Sequence, residues 1–95
     1  MLNDHVTRLQ KLVLLLEKNE NQHLFVPIVI EKTKLLISEV MNNNYNLSDT
    51  ARFASGLERF ISDDFSFCET EIGRSILDVY NSILSEAYQV YGSEW

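Results

Sequence analysis

The sequence predicts an all-α fold: a single antiparallel four-helix bundle over residues 1–95, with a long C-terminal helix. Three observations carry that expectation. Apolar residues recur at helical spacing through four segments of the chain. Breakers are scarce, with three glycines and one proline among 95 residues. The segments are joined by short polar stretches, which make neighbouring helices run in opposite directions.

Asn3 or Asp4 is a suitable cap for a first helix expected to run to about Asn19, with Val6, Leu9, Leu12, Val13 and Leu16 on one face. The polar run Asn19-Glu-Asn-Gln22 ends it. The next segment, His23 to Met41, opens with Leu24-Phe-Val-Pro-Ile-Val-Ile30, which has the β-rich look of a strand. Pro27 decides for a helix, because the first helical turn needs no N–H there and a central strand does. Val29, Thr33, Leu36 and Val40 then line one face, with Ile30, Ile37 and Met41 beside it.

Asn42-Asn-Asn-Tyr-Asn46 reads as a loop, since asparagine competes for backbone hydrogen bonds and tolerates left-handed conformations. Ser48 is the expected N-cap of a third helix whose apolar side is Phe53, Leu57, Phe60 and Ile61. Gly56 falls inside that helix, where it costs ~1 kcal/mol relative to alanine. Close approach of another helix is the expected reason. Ser66-Phe-Cys-Glu69 has capping-box spacing and is expected to open the longest helix, kinked near Gly73 and ending before Gly92. Two stripes run along it: Ile72, Ile76, Val79, Ile83, Ala87 and Val90, then Leu77, Tyr80, Leu84, Tyr88 and Tyr91. A face that wide predicts a central helix touching two or more others.

Composition narrows the function classes. The lone Cys68 excludes an internal disulfide and gives no sign of an oxidising compartment. The first residues lack a signal-peptide pattern, and the longest apolar run, Leu24 to Ile30, is far short of a membrane span. A cytoplasmic, soluble chain is the expectation. Up to Leu47 the charges cancel, so the net −6 belongs to the second half of the chain. Such acidity opposes binding to nucleic acid or to an anionic membrane, and favours a basic protein partner.

Catalytic and metal chemistry find little support. His5 and His23 lie on different elements, and neither has a second strong ligand at helical spacing. The stretch from Asp63-Asp64 to Glu71 superficially resembles a calcium loop but lacks its alternating ligands and central glycine. Cys68 near a helix start would gain from the dipole, yet Glu69 and Glu71 oppose thiolate formation and flanking phenylalanines suggest an inert thiol. No phosphate-cradling loop and no serine–histidine arrangement is present, and Asp63 with Asp64 is more simply a solvated pair than an acid/base dyad. No cofactor, no metal and no enzymatic activity are expected.

The junction before the last helix stands out. Glu69 and Glu71 suit a first helical turn, but Asp63 ends its helix, where a negative charge is disfavoured by ~0.3–1 kcal/mol. Asp64 is excusable as a cap. Phe65 and Phe67 interleave these acids. Two readings stand: core aromatics in a solvated acidic turn, which is the commoner arrangement, or an acidic rim around aromatic anchors. Trp95 carries a similar ambiguity between an interface and a fold-back onto the bundle.

Size, acidity, helical pattern and the lack of catalytic parts together resemble the small helical-bundle immunity proteins of colicin and contact-dependent inhibition systems. The resemblance is one of overall character along the whole chain, and no residue role carries over from it. It implies a monomeric inhibitor that binds a cognate bacterial toxin, a nuclease with a basic cleft being the natural match. The expected partner surface is Asp63, Asp64, Phe65, Phe67, Glu69 and Glu71, flanked by Glu58 and Asp78. The alternative is a helical adaptor or regulatory subunit, as a homodimer in one version, with the wide face of the last helix as an interface.

Overall fold

A computed structural model describes residues 2–92 of the chain. Among these residues the structure is all-helical: α1 (Leu2–Glu17), α2 (Phe25–Met41), α3 (Leu47–Ser62), the one-turn α4 (Phe65–Cys68) and α5 (Glu71–Tyr91), with a 3-10 turn at Glu20–Gln22. No helix is long and apolar enough to cross a membrane. Trp95, whose role was left open by the sequence, lies outside the described residues.

The apolar periodicity becomes burial. Val6, Leu9, Leu12, Val13 and Leu16 of α1 are all in the core, as are Val29, Thr33, Leu36 and Val40 of α2. A fully buried aliphatic side chain of this kind contributes roughly 1.5–3 kcal/mol. α5 packs most extensively on α3 and also touches α1 and α4, which is the central role its two stripes predict. α1 packs closely on α2, whereas α2 and α3 meet only thinly. The buried alanines Ala51 and Ala54 on α3 escape a search for large apolar residues, yet they belong to the same core.

A buried hydrogen bond also crosses that core. The Tyr80 and Thr33 hydroxyls lie 2.6 Å apart, joining α5 to α2. Burial pushes the Tyr80 phenol above its ordinary range, and the Thr33 hydrogen bond offsets part of that shift.

The helix ends depart from the sequence expectations at several points. α1 starts at Leu2, so Asn3 and Asp4 lie in its first turn rather than capping it. It stops at Glu17, where the Asn19 side-chain amide donates to the Leu15 carbonyl at 2.8 Å. α2 begins at Phe25 after Leu24, which has no capping side chain; instead His23 Nδ1 accepts the Phe25 N–H at 3.0 Å. Pro27 sits in the first turn, as its missing N–H requires. At the other end Asn43 takes a positive φ of 60°, and the Asn44 and Asn43 N–H groups return to the Glu39 and Val40 carbonyls. That is the Schellman pattern for ending a helix.

Asn46, not Ser48, caps α3. Its side chain accepts the Asp49 N–H at 2.9 Å while Asp49 accepts the Asn46 N–H at 3.2 Å, the reciprocal pair of a capping box. The Ser66–Glu69 capping box does not form either. Asp64 caps α4 and Thr70 caps α5, and using both splits the segment into a single turn and a long helix. The Thr70 hydroxyl accepts the Gly73 N–H at 2.9 Å and donates to the Phe67 carbonyl at 2.6 Å, clamping the two together.

Gly73 is therefore no kink. A methyl group there would overlap the Phe67 carbonyl oxygen and lie 3.0 Å from the Cys68 Cα. Gly56 is the opposite case. Nothing lies within 4 Å of where its Cβ would be, so the helix expected to approach it is absent from the described chain.

Candidate functional site

The split at Asp64 and Thr70 shapes the end of the molecule where α2 starts and α3 stops. Its floor is a cluster of rings. His23 stacks on Phe67 with centroids 4.5 Å apart, Phe25 meets the edge of Phe67 at 5.6 Å, and Phe25 packs on Phe60 at 4.7 Å. These contacts tie the start of α2 to the end of α3 and to α4. Phe67 is fully buried among them, which corrects its assignment to the partner surface.

Phe65 behaves differently from its near neighbour. It is 79% exposed, and Leu24, between the two floor residues His23 and Phe25, is 84% exposed. Large apolar side chains this open at one end of a domain lose contact with water only if something docks there. Leu24 had a signal in the sequence. At 100° per residue, the run Leu24 to Ile30 cannot turn every member to one side of a helix, so some must face out.

The acids surround this patch in distinct ways. Asp64 accepts from the Ser66 hydroxyl and from the Phe67 N–H, and these bonds together with nearby His23 hold its carboxyl below the usual aspartate range. Its cap role accounts for its presence. Asp63 is the exposed C-cap of α3, and no ion pair or side-chain hydrogen bond with a described residue engages its carboxylate. Arg59 occupies the same last turn and softens the dipole penalty without removing the local excess of acids. Glu71 lies in the first turn of α5, where the dipole favours it.

Three expectations are revised. Glu69 is the C-cap of α4 rather than a first-turn residue, and it pairs with Arg74 at 3.1 Å. The ion pair of Arg74 is thus with Glu69 and not with Asp78, four residues further along α5. Asp78 itself is exposed about two turns down α5 from Glu71, and so flanks the end at a distance. Glu58 is half-buried and accepts the Ser62 hydroxyl at 2.9 Å. The candidate surface is therefore centred on Asp63, Asp64, Phe65 and Glu69 with Leu24 and the rim of Phe60, while Glu71 borders a hollow with Leu15, Asn19 and Gln22.

Other reactive side chains have local roles. His5 Nε2 lies 3.2 Å from Glu86 Oε2, linking the start of α1 to the later part of α5 without the alignment of a hydrogen bond. The Cys68 thiol is half-buried, with Sγ 3.9 Å from the Phe65 carbonyl. Among the described residues no three His, Cys, Asp or Glu side chains converge on a metal-sized space. What the end of the molecule offers chemically is attraction for cations and an apolar seat. Compared with known protein families, curated proteins and solved structures, the chain matches none.

Proposed function

We propose that this protein is a binding protein whose acidic end docks a basic partner, and that the partner is a cognate bacterial toxin domain that it neutralises. The observation that carries the reading is Phe65, exposed beside a carboxylate, Asp63, that the fold itself does not use. An antiparallel four-helix bundle in one domain is the rigid scaffold that such a role requires. No catalysis by this chain is involved.

The mechanism follows from the chemistry of the end. A nuclease cleft is lined with cations that hold phosphates, so its field attracts Asp63, Asp64, Glu69 and Glu71 from a distance and speeds encounter. Phe65 and Leu24 then supply apolar contact that slows release. Occlusion of substrate does not require touching the toxin's catalytic groups, because a bulky bundle beside the cleft is enough. Monomeric action in the cytoplasm suits this reading.

The test is genetic and direct. The gene immediately upstream, expressed alone, is expected to arrest growth, and co-expression of this chain is expected to restore it. Asp63→Lys with Phe65→Ala should abolish rescue at unchanged protein level. An upstream gene with no toxicity, or rescue indifferent to both substitutions, removes the proposal.

A second reading, a helical adaptor or homodimer, is favoured by the other end of the molecule, where Tyr88, Val90 and Tyr91 of the wide α5 face are exposed. It predicts a concentration-dependent dimer, whereas the immunity reading predicts a monomer.

A further inference from the structure

The seam between α2 and α3 holds a trough of about 340 Å³, lined by Lys32 from α2 and by Arg52, Phe53, Gly56, Leu57 and Phe60 from α3. A second, more open depression of about 300 Å³ shares Lys32 with it and is lined by Pro27, Ile28 and Glu31. Phe53, Gly56, Leu57 and Phe60 stand at i, i+3, i+4 and i+7, the face on which one helix receives another. In the middle of that face a side chain is missing, because Gly56 is exposed with no atom within 4 Å of its would-be Cβ. A mid-helix glycine costs ~1 kcal/mol relative to alanine, and no described neighbour approaches closely enough to need it.

The charges on this trough differ from those of the acidic end. The trough itself is lined by two charged residues, both cations, and Glu31 lies in the adjoining depression. Lys32 and Arg52 are exposed, one on each wall, and no ion pair or hydrogen bond with a described residue engages either. In a chain of net charge −6, a locally basic, apolar-floored trough selects for a modest number of carboxylates rather than for a polyanion. A second copy of this chain is disfavoured by mutual repulsion at the same net charge.

We infer that the α2–α3 trough is a docking site for an amphipathic helix of a partner protein, its apolar side chain seated over Gly56 and its flanking carboxylates on Lys32 and Arg52. The trough spans about two helical turns along α3, roughly 10 Å, which suits anchors at i, i+3 or i+4, and i+7. A helix crossing at Gly56 makes the close approach that the glycine permits. Phe60 borders both this site and the acidic end, but the cations and Gly56 that define the trough lie outside that end, and the inference does not depend on the toxin reading.

The test is a selection from a displayed library of helical peptides of about 16 residues, with flanking positions randomised, against the full chain. Gly56→Leu fills the trough from a position with free space, and its melting temperature should be no lower than that of the parent. Peptides enriched on the parent should carry apolar anchors at helical spacing flanked by Asp or Glu, and should bind the G56L variant about tenfold or more weakly. Lys32→Glu with Arg52→Glu should switch the enriched flanks to Lys or Arg. The inference is overturned if nothing is enriched, if enriched peptides bind G56L as well as the parent, or if the parent selects basic flanks.

Discussion

Two regions of this molecule treat similar residues in opposite ways. At the α4–α5 corner every unusual residue has an internal reason. Gly73 makes room for the Phe67 carbonyl, Phe67 fills the core, Asp64 caps α4 and Thr70 clamps both helices. On the adjoining surface and along the α2–α3 seam, equally unusual residues have none. Gly56 faces open space, Phe65 and Leu24 face solvent, and the Asp63 carboxylate has no described partner. The difference separates residues kept for folding from residues whose cost the fold leaves unexplained, and the second set is where a partner is sought.

Perturbing the first region should cost stability in descending steps. Gly73→Ala is expected to be the most damaging, at about 3 kcal/mol, because the added methyl meets backbone that cannot yield as a side chain would. Thermal unfolding should show a drop of roughly 10–20 °C. Survival of the full melting temperature would mean that α4 is not seated on α5 as described. In the core beyond that corner, Tyr80→Phe should follow at about 1–2 kcal/mol, since it strips the Thr33 hydroxyl of its partner.

Tyr80 also makes a pH prediction. The native chain holds the phenol neutral, whereas the unfolded chain releases its proton above about pH 10. Stability from this group is therefore complete below that pH and declines as the pH rises beyond it. Chemical denaturation across the alkaline range should show a slope that Tyr80→Phe flattens. Asp64 has the opposite sign. Its lowered native value means that its contribution is present above the ordinary aspartate range and is lost as the pH falls through the native value. Amide exchange at Phe67 during acid titration should report the loss of the α4 cap, and Asp64→Asn should remove that dependence.

The second region should respond in the other direction. Gly56→Ala is expected to stabilise the protein by about 1 kcal/mol, because helix propensity improves and nothing is displaced. A loss of stability would reveal a close approach that the described chain does not contain. Phe65→Ala should change stability by less than about 0.5 kcal/mol.

The same contrast explains what the sequence made legible. Apolar periodicity located all four long helices, because core positions such as Leu9, Leu16, Ile76 and Ile83 repeat with the geometry of a helix. Caps were harder. Asn46 and Ser48 are both competent N-caps, and only the reciprocal bond from Asp49 decides between them. Ser66 was outcompeted by Asp64 and Thr70, whose choice depends on bringing Phe67 inward, a tertiary event that no local window contains. For the same reason Phe65 and Phe67 looked equivalent in the chain and lie on opposite sides of the surface. The role of His23 as a cap and the exposure of Leu24 depend on where α2 begins, a boundary that periodicity leaves loose by a few residues.

The most direct test of the proposal is the association rate with the purified product of the gene immediately upstream, which is expected to be a basic toxin domain, measured by stopped flow across ionic strength for the parent and for Asp63→Lys. The parent should associate fast at low salt and slow steeply as salt rises. The variant should associate more slowly and with a flatter salt dependence at an unchanged melting temperature. Identical rates and salt dependence for the two proteins would contradict the assignment of the acidic end as the partner surface.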